Sequence, residues 1–445
     1  MDIEISNKIL IKNSTAQETY RIQSAFSFNN PDYEEAMRMG RKTFGIPKTE
    51  ELCSIQGKYL SIPLGGLEYI KKFNPNITDN RSKNTAEIPF NGEARPYQEK
   101  CILISEKEEI GIIVAATGSG KTFIGIALAS RLKQRTLILV KSKELASQWK
   151  NAIKQFTGLE SGLISGRTNK EGNEFTVGLT QTLSKRDLSG LNYGLVIADE
   201  CHNLPAVQSF SVINSLNSFY KIGLSATPQR RDDKEFMLYA SLGKIIVKIK
   251  EDEIKGKVLP VNVCCISFDF YENVDSWQDF QTKLTNHRAR NNLIIKSALK
   301  CSLKMGTIIL CYQTDHCDIL GDLAKEQGIN ALVIHGKLKS KTRNERMAIA
   351  SESQLIIGTL SLLSEGIDFP HIKALIFASP VSAKIDKEDP AATRLVQSIG
   401  RCRRPFGNHN KSFVLDIVDQ CAFGISAYRK RCEIYNLNNF KIINL

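Results

Sequence analysis

Asp199 and Glu200 follow directly on the apolar Leu195–Ala198, and Cys201 and His202 come next. Two carboxylates, a thiol and an imidazole in four consecutive positions admit a metal centre, a nucleophilic pair, or the polar end of a buried strand. Local spacing leaves all three open, and a second stretch narrows the choice. Ala115 to Thr122 reads AATGSGKT, behind the apolar Gly111-Ile112-Ile113-Val114 and ahead of the helical Phe123 to Leu132. A strand, a Gly-rich turn and a helix start stack backbone N–H groups against a positive helix end, the geometry that holds a triphosphate. Thr117, Gly118, Ser119 and Gly120 form the turn, and the glycines permit close backbone approach. Lys121 reaches the β and γ phosphates, and Thr122 offers its hydroxyl to magnesium. Ala115 stands where the loop pattern has its first glycine, as expected of a residue still inside the strand.

An acidic pair ending a second buried strand of the same α/β domain is where such enzymes hold magnesium and position water. Asp199 then binds Mg2+ through water, and Glu200 orients or deprotonates the attacking water. A zinc site at Cys201 and His202 is disfavoured, because strand neighbours point to opposite faces and no further ligands have suitable spacing. A cysteine-protease pair is weaker still.

The elements that must position these groups are legible as alternation. Short apolar runs at Gly111 to Ala116, Thr136 to Val140, Phe175 to Thr180, Gly194 to Ala198 and Ile222 to Ser225 read as strands, with an amphipathic helix over Lys143 to Phe156. The pattern restarts at Gly306 to Tyr312, Ala331 to Ile334, Leu355 to Thr359, Ala374 to Ala378 and Phe413 to Ile417, with a helix over Asp315 to Gln327. The expected fold is α/β, two tandem parallel-sheet domains behind a small α+β N-terminal domain. The expected boundaries are 1–85 for the N-terminal module, 86–247 for the first domain, 248–290 for a linker or thumb-like insertion, and 291–445 for the second domain. Residues 74–86 are polar enough to read as a linker.

A chain of 445 residues with 42% hydrophobic and 24% charged residues is a multi-domain globular protein. No apolar run is long enough to span a bilayer, and Met1 to Leu10 lacks the features of a secretory signal. The cytoplasm is therefore the expected location, with no membrane partner. Eleven cysteines without a C-x-x-C pair fit free thiols. Sixty Lys and Arg against 47 acids give a net charge of +13, which favours a polyanionic partner.

With AATGSGKT and DECH in this order, the chain resembles a superfamily 2 helicase, which implies two RecA-like domains that use ATP and Mg2+. RPYQ, Arg95 to Gln98, resembles the adenine-reading segment, with Gln98 as the amide that pairs with the base edge. Ser225-Ala226-Thr227 resembles the motif coupling hydrolysis to the nucleic-acid track. GTLSLLSEGIDFP, Gly358 to Pro370, resembles motif five, and QSIGRCRRP, Gln397 to Pro405, motif six. The resemblance implies that Gln397, Arg401 and Arg404 meet a γ phosphate held on the other domain, the two arginines sharing one helix face at a spacing of three. It places Asp368 toward the ribose or the coupling network.

GRKTFGIP (Gly40 to Pro47) and LSIPLGGL (Leu60 to Leu67), with RPYQ ahead of a DECH box, are similar to the XPB-like branch with its bacterial and phage members. In that branch the N-terminal module engages DNA. Gln229-Arg230-Arg231-Asp232 departs from it, because Arg231 stands where XPB-type chains carry the acid of Arg-Glu-Asp.

The resemblance also implies a strand held across both domains by Lys141, Ser142, Thr180, Gln181 and Thr359, mostly through phosphates. Gly166-Arg167 and His335-Gly336-Lys337 are weaker candidates, and the basic His287-Arg288-Ala289-Arg290 with Tyr271 and Trp277 suggests a gripping insertion or an ordinary linker. The expected partner is DNA, single-stranded or forked, with RNA and a nuclease, repair or transcription partner as further options. Direction 3′ to 5′ is implied by the resemblance alone. Two other readings stay open: a translocase subunit of a restriction or phage-defence assembly that does not separate strands, and a non-catalytic nucleic-acid-binding scaffold.

Overall fold

The computed structural model describes residues 1–445 except 58, 117, 204–205, 227–233, 250–252, 254–257, 364–368, 382–389 and 445; at 203, 206, 340, 363 and 390–394 only the backbone is described. The chain folds as two compact units, Met1–Glu253 and Ile254–Leu445. Among the described residues no helix is long and apolar enough to cross a membrane.

The first unit opens on a five-stranded sheet. Asp2–Ile5 and Lys8–Lys12 alternate apolar and polar residues, so Ile3, Ile5, Ile9 and Ile11 turn to one face and are buried. They pack with Ile22 and Phe26 from the region of the helix Ala16–Ala25, and with Leu60, Leu64 and Leu67. The sheet is completed by Asn76–Asp79, parallel to Asp2–Ile5. This strand lies inside the stretch expected as a linker. The rest of that stretch is strapped to the neighbouring domain. Arg81 is buried, pairs with Asp79 (2.5 Å) and Glu109 (2.7 Å), and lies over the Phe219 ring. Polar composition therefore reflects ion pairing here, not a free tether.

The adjoining sheet has eight strands, in the order Thr168–Lys170, Gly162–Ser165, Phe175–Leu179, Thr136–Val140, Leu195–Ala198, Tyr220–Ser225, Ile110–Ala115 and Ile245–Ile249. All neighbours are parallel except the edge hairpin Gly162–Ser165 with Thr168–Lys170. The five strands read from sequence are present within one or two residues of the expected bounds, as is the helix Lys143–Thr157. Such central strands are buried on both faces and read as continuous apolar runs, so their ends are sharp. The N-terminal module docks on this domain through Gly65. A Cβ there would lie 2.0 Å from the Tyr239 carbonyl oxygen of the helix Glu235–Leu242, so only glycine permits the approach.

Among the described residues the second unit carries a sheet of seven strands, all parallel: Leu332–Ile334, Leu355–Thr359, Gly306–Cys311, Ile372–Phe377, Ser412–Asp419, Val261–Phe268 and Lys441–Asn444. Val261–Phe268 is paired on both sides, so residues expected in a linker or thumb-like insertion instead build the sheet. The gripping reading of His287–Arg290 also fails for Arg290. Its guanidinium is fully buried on Asp419 (2.6 and 3.1 Å), and His287 caps the helix Arg288–Ser302 that presents it. A second buried pair, Arg431 with Asp416 (2.8 Å), joins the helix Ala422–Leu437 to the same sheet, and the Tyr435 hydroxyl donates to Asp416 as well.

Candidate active site

Ile110–Ala115 and Leu195–Ala198 run parallel, separated in the sheet only by Tyr220–Ser225, so their carboxyl ends open on the same rim. Ala115 is indeed the last strand residue and fully buried. The turn beyond it needs glycine twice, since Gly118 and Gly120 have φ of 88° and 83°. The helix Lys121–Leu132 starts immediately after, with Lys121 and Thr122 half-buried in its first turn.

RPYQ braces the turn from behind. Gln98 donates through Nε2 to the Ser119 carbonyl (2.9 Å), and the Tyr97 hydroxyl donates to the same oxygen (3.0 Å). The Gln98 Oε1 accepts from the Arg95 N–H (2.9 Å), and Arg95 reaches the Tyr97 hydroxyl (3.3 Å). A Cβ at position 120 would lie 2.5 Å from Gln98 Nε2, so this contact depends on Gly120.

Lys121 Nζ lies 3.1 Å from Glu200 Oε1 and 3.4 Å from the Ala115 carbonyl oxygen. The two motifs read from sequence thus meet at one point. Asp199 sits beside them, buried, accepting from the Glu200 N–H (3.0 Å) and from the Trp149 indole Nε1 (2.7 Å). Burial, together with the neighbouring Glu200 charge, pushes the Asp199 carboxyl up to about 6. Burial acts the same way on Glu200, but Lys121, His202 and the Ala226 backbone outweigh it and hold that carboxyl below its usual range. Glu200 has φ of 42°, a left-handed conformation unusual for a residue with a side chain.

A divalent cation fits this corner. Asp199 and Thr122 carry the hard oxygen donors that magnesium takes, and two buried oxygens, Glu200 Oε2 and Ser119 Oγ, have no hydrogen-bond partner among the described residues. Cys201 belongs to the apolar core of the domain. His202 Nδ1 lies 2.8 Å from the Ser225 hydroxyl and 3.6 Å from Glu200 Oε2, connecting the acidic pair to the start of the Ser225-Ala226-Thr227 motif. Ser225 is fully buried and Ala226 half-buried.

The expected nucleic-acid residues divide. Lys141 is exposed, and Ser142 caps the helix Lys143–Thr157 by accepting from the Leu145 N–H (3.3 Å). Gln181 is exposed, but Thr180 is buried and its hydroxyl donates to the Val140 carbonyl (3.3 Å), tying two strand ends together. Thr359 is buried at the end of its strand. Thr180 opens the short helix Thr180–Leu183 directly after its strand, and Thr359 is the last residue of its own, so both lie at the carboxyl ends of strands.

In the second unit Gln397 and Arg401 lie on the helix Pro390–Cys402, Gln397 buried and Arg401 bordering a small, largely apolar cavity with Ile308 and Leu310. Arg404 falls beyond the helix end, so the shared helix face expected for it and Arg401 is not formed. Burial holds the Arg404 guanidinium below its ordinary value. Arg403 is buried, donating to the Leu259 carbonyl (3.3 Å). Thr117, Thr227, Asp368 and the departure at Arg231 lie outside the described residues.

His202, Tyr97 and Trp149 were not singled out as working residues from sequence. His202 and Tyr97 stand inside recognised motifs, a signal that was available. Trp149 reads only as part of the apolar face of its helix.

A phosphate loop whose lysine meets an acidic pair, in the first of two RecA-like α/β domains, defines an ATP-hydrolysing enzyme of the helicase kind. Two family models match in tandem: the type III restriction enzyme res subunit over residues 91–230, and the helicase conserved C-terminal domain over residues 291–405. The chain belongs to the superfamily 2 helicases. It is 32% identical over 168 residues to the DNA 3'-5' translocase XPB2 of Sulfurisphaera tokodaii, spanning 38% of each chain. It is 23% identical to the "Probable helicase D10" of Escherichia phage T5, over 100% of this chain and 96% of that protein. Among solved structures, S. cerevisiae Dbp5 bound to RNA and ADP BeF3 has the same fold, with a TM-score of 0.58 and 17% identity over 86% of this chain and 94% of that one.

Proposed function

We propose that this chain is an ATP- and Mg2+-dependent DNA helicase or translocase of the XPB-like branch. The observation that carries the reading is Lys121 at 3.1 Å from Glu200, with Asp199 adjacent, behind a glycine turn at the head of a helix. In this reading the loop N–H groups and Lys121 bind the β and γ phosphates, and Gln98 turns its remaining amide capacity to the base. Asp199 and Thr122 hold the magnesium, which when bound neutralises developing phosphate charge. Glu200, kept ionised by Lys121, orients the attacking water and accepts its proton. This reading assigns the amide of Gln397 and the positive charges of Arg401 and Arg404 to the γ phosphate, an arginine in that role being typically worth about 10^3 to 10^5 in rate.

His202 and Ser225 couple this corner to the strand track, with Lys141, Ser142 and Gln181 on the phosphates. The net charge of +13 suits a polyanion. The N-terminal module engages DNA and the cytoplasm is the site of action.

Phosphate release tests the reading. Single-stranded DNA stimulates the parent, and Lys121→Ala or Glu200→Gln abolishes most of the stimulated rate; equal rates in parent and variants would refute the site. Strand displacement by the isolated chain separates a helicase from a translocase that works beside a nuclease. Comparing single-stranded DNA, duplex DNA and RNA over a salt series identifies the track, because phosphate-dominated binding weakens steeply with salt.

A further inference from the structure

Trp149 lies on the helix Lys143–Thr157 and is buried, yet its indole N–H is spent on a carboxylate 50 residues away: Nε1 donates to Asp199 Oδ2 at 2.7 Å. The other Asp199 oxygen accepts from the Glu200 N–H, so the carboxylate plane is set by two donors from different elements. The ring also rests on the phosphate-loop helix. A Cβ added at Gly125 would lie 2.9 Å from Trp149 Cη2, and 3.3 and 3.4 Å from Leu224 and Ile197. Trp149 therefore links its own helix, which begins beside Lys141 and Ser142, to two other places: the helix that begins at Lys121, and Asp199 just beyond the strand Leu195–Ala198.

A buried tryptophan needs only some acceptor for its N–H. Any backbone carbonyl would serve a packing residue. Use of a buried acid beside Lys121 and Glu200 is different, because it fixes the orientation of that carboxylate. We propose that Trp149 is a positioning residue that orients the Asp199 carboxylate toward the divalent cation and passes displacement of its own helix, when a strand is gripped, to that carboxylate. The inference rests on Asp199 being a cation-holding group.

Removing the N–H while keeping the shape isolates this role. Benzothienylalanine at position 149 replaces the N–H by sulfur, and 5-fluorotryptophan keeps it. Calorimetry of ADP binding with and without Mg2+ reads the cation independently of turnover. In the benzothienylalanine protein, metal-free ADP binding stays at the parent value, while the Mg2+-dependent part weakens about 10- to 100-fold, the usual consequence of losing a group that orients a ligand. Stimulation of phosphate release by oligo-dT falls with it, and 5-fluorotryptophan restores both. Gly125→Ala, which pushes the ring, shifts Mg2+ dependence in the same direction. Unchanged Mg2+ dependence in the benzothienylalanine protein overturns the proposal while leaving the active-site reading intact. A parent in which Mg2+ makes no difference to ADP binding overturns both.

Discussion

Lys221 offers a quantitative test of how the first unit is assembled. It is the second residue of the strand Tyr220–Ser225, its side chain is completely buried, and Nζ donates to the Ile213 carbonyl (2.7 Å) in the last turn of the helix Ala206–Ser215. Burial, helped by the Arg81 charge, pulls its pKa down from 10.5 to about 7. That drop, at about 1.4 kcal/mol per pH unit, corresponds to roughly 5 kcal/mol of stability that depends on pH. Between about pH 7 and 10.5 the unfolded chain holds the proton and the folded chain does not, so stability rises with pH. Below pH 7 the full penalty of a buried charge or its neutralisation applies.

Lys221→Met removes this dependence and forgoes one hydrogen bond, a pH-independent loss of about 1 kcal/mol. The chain has two tryptophans, Trp149 in the first unit and Trp277 in the second, so Trp277→Phe leaves emission that reports the first unit alone. Denaturant unfolding of parent and Lys221→Met in that background, at pH 7 to 9.5, should show the methionine protein's relative stability falling by roughly 3 kcal/mol across the range. Parallel pH curves would refute the argument that burial holds Lys221 neutral.

Ser225→Ala removes the hydroxyl from His202 and should lower strand displacement about tenfold while phosphate release stays within a few-fold, measured side by side; equal losses in both would remove His202–Ser225 from the coupling route. Arg290→Ala strands Asp419 without its buried partner and should destabilise the second unit by about 3 to 5 kcal/mol, read from Trp277 emission during unfolding. Gly65→Ala forces a Cβ against the Tyr239 carbonyl and should cost about 1 to 3 kcal/mol, visible as faster proteolytic release of residues 1–79.

Parallel sheets made the two RecA-like domains readable, because fully buried strands are written as short apolar runs and their ends carry the chemistry. Lys121, Asp199 and Glu200 were legible as a set for that reason. Longer-range pairing was not. Arg290 and Asp419 are 129 positions apart, and a buried arginine is spelled like a surface one until its partner is known. The same blindness turned residues 74–86 into an apparent tether and Val261–Phe268 into an apparent insertion: a strand that closes one sheet from far along the chain has no local signature distinguishing it from a loop.

The strand that leads into the phosphate loop has as its two sheet neighbours Tyr220–Ser225 and Ile245–Ile249, made more than a hundred residues later. During synthesis the loop therefore leaves the ribosome early but is locked late, after nearly the whole first unit has emerged. A first unit cut short before Tyr220 therefore lacks both strands that flank the one leading into the phosphate loop.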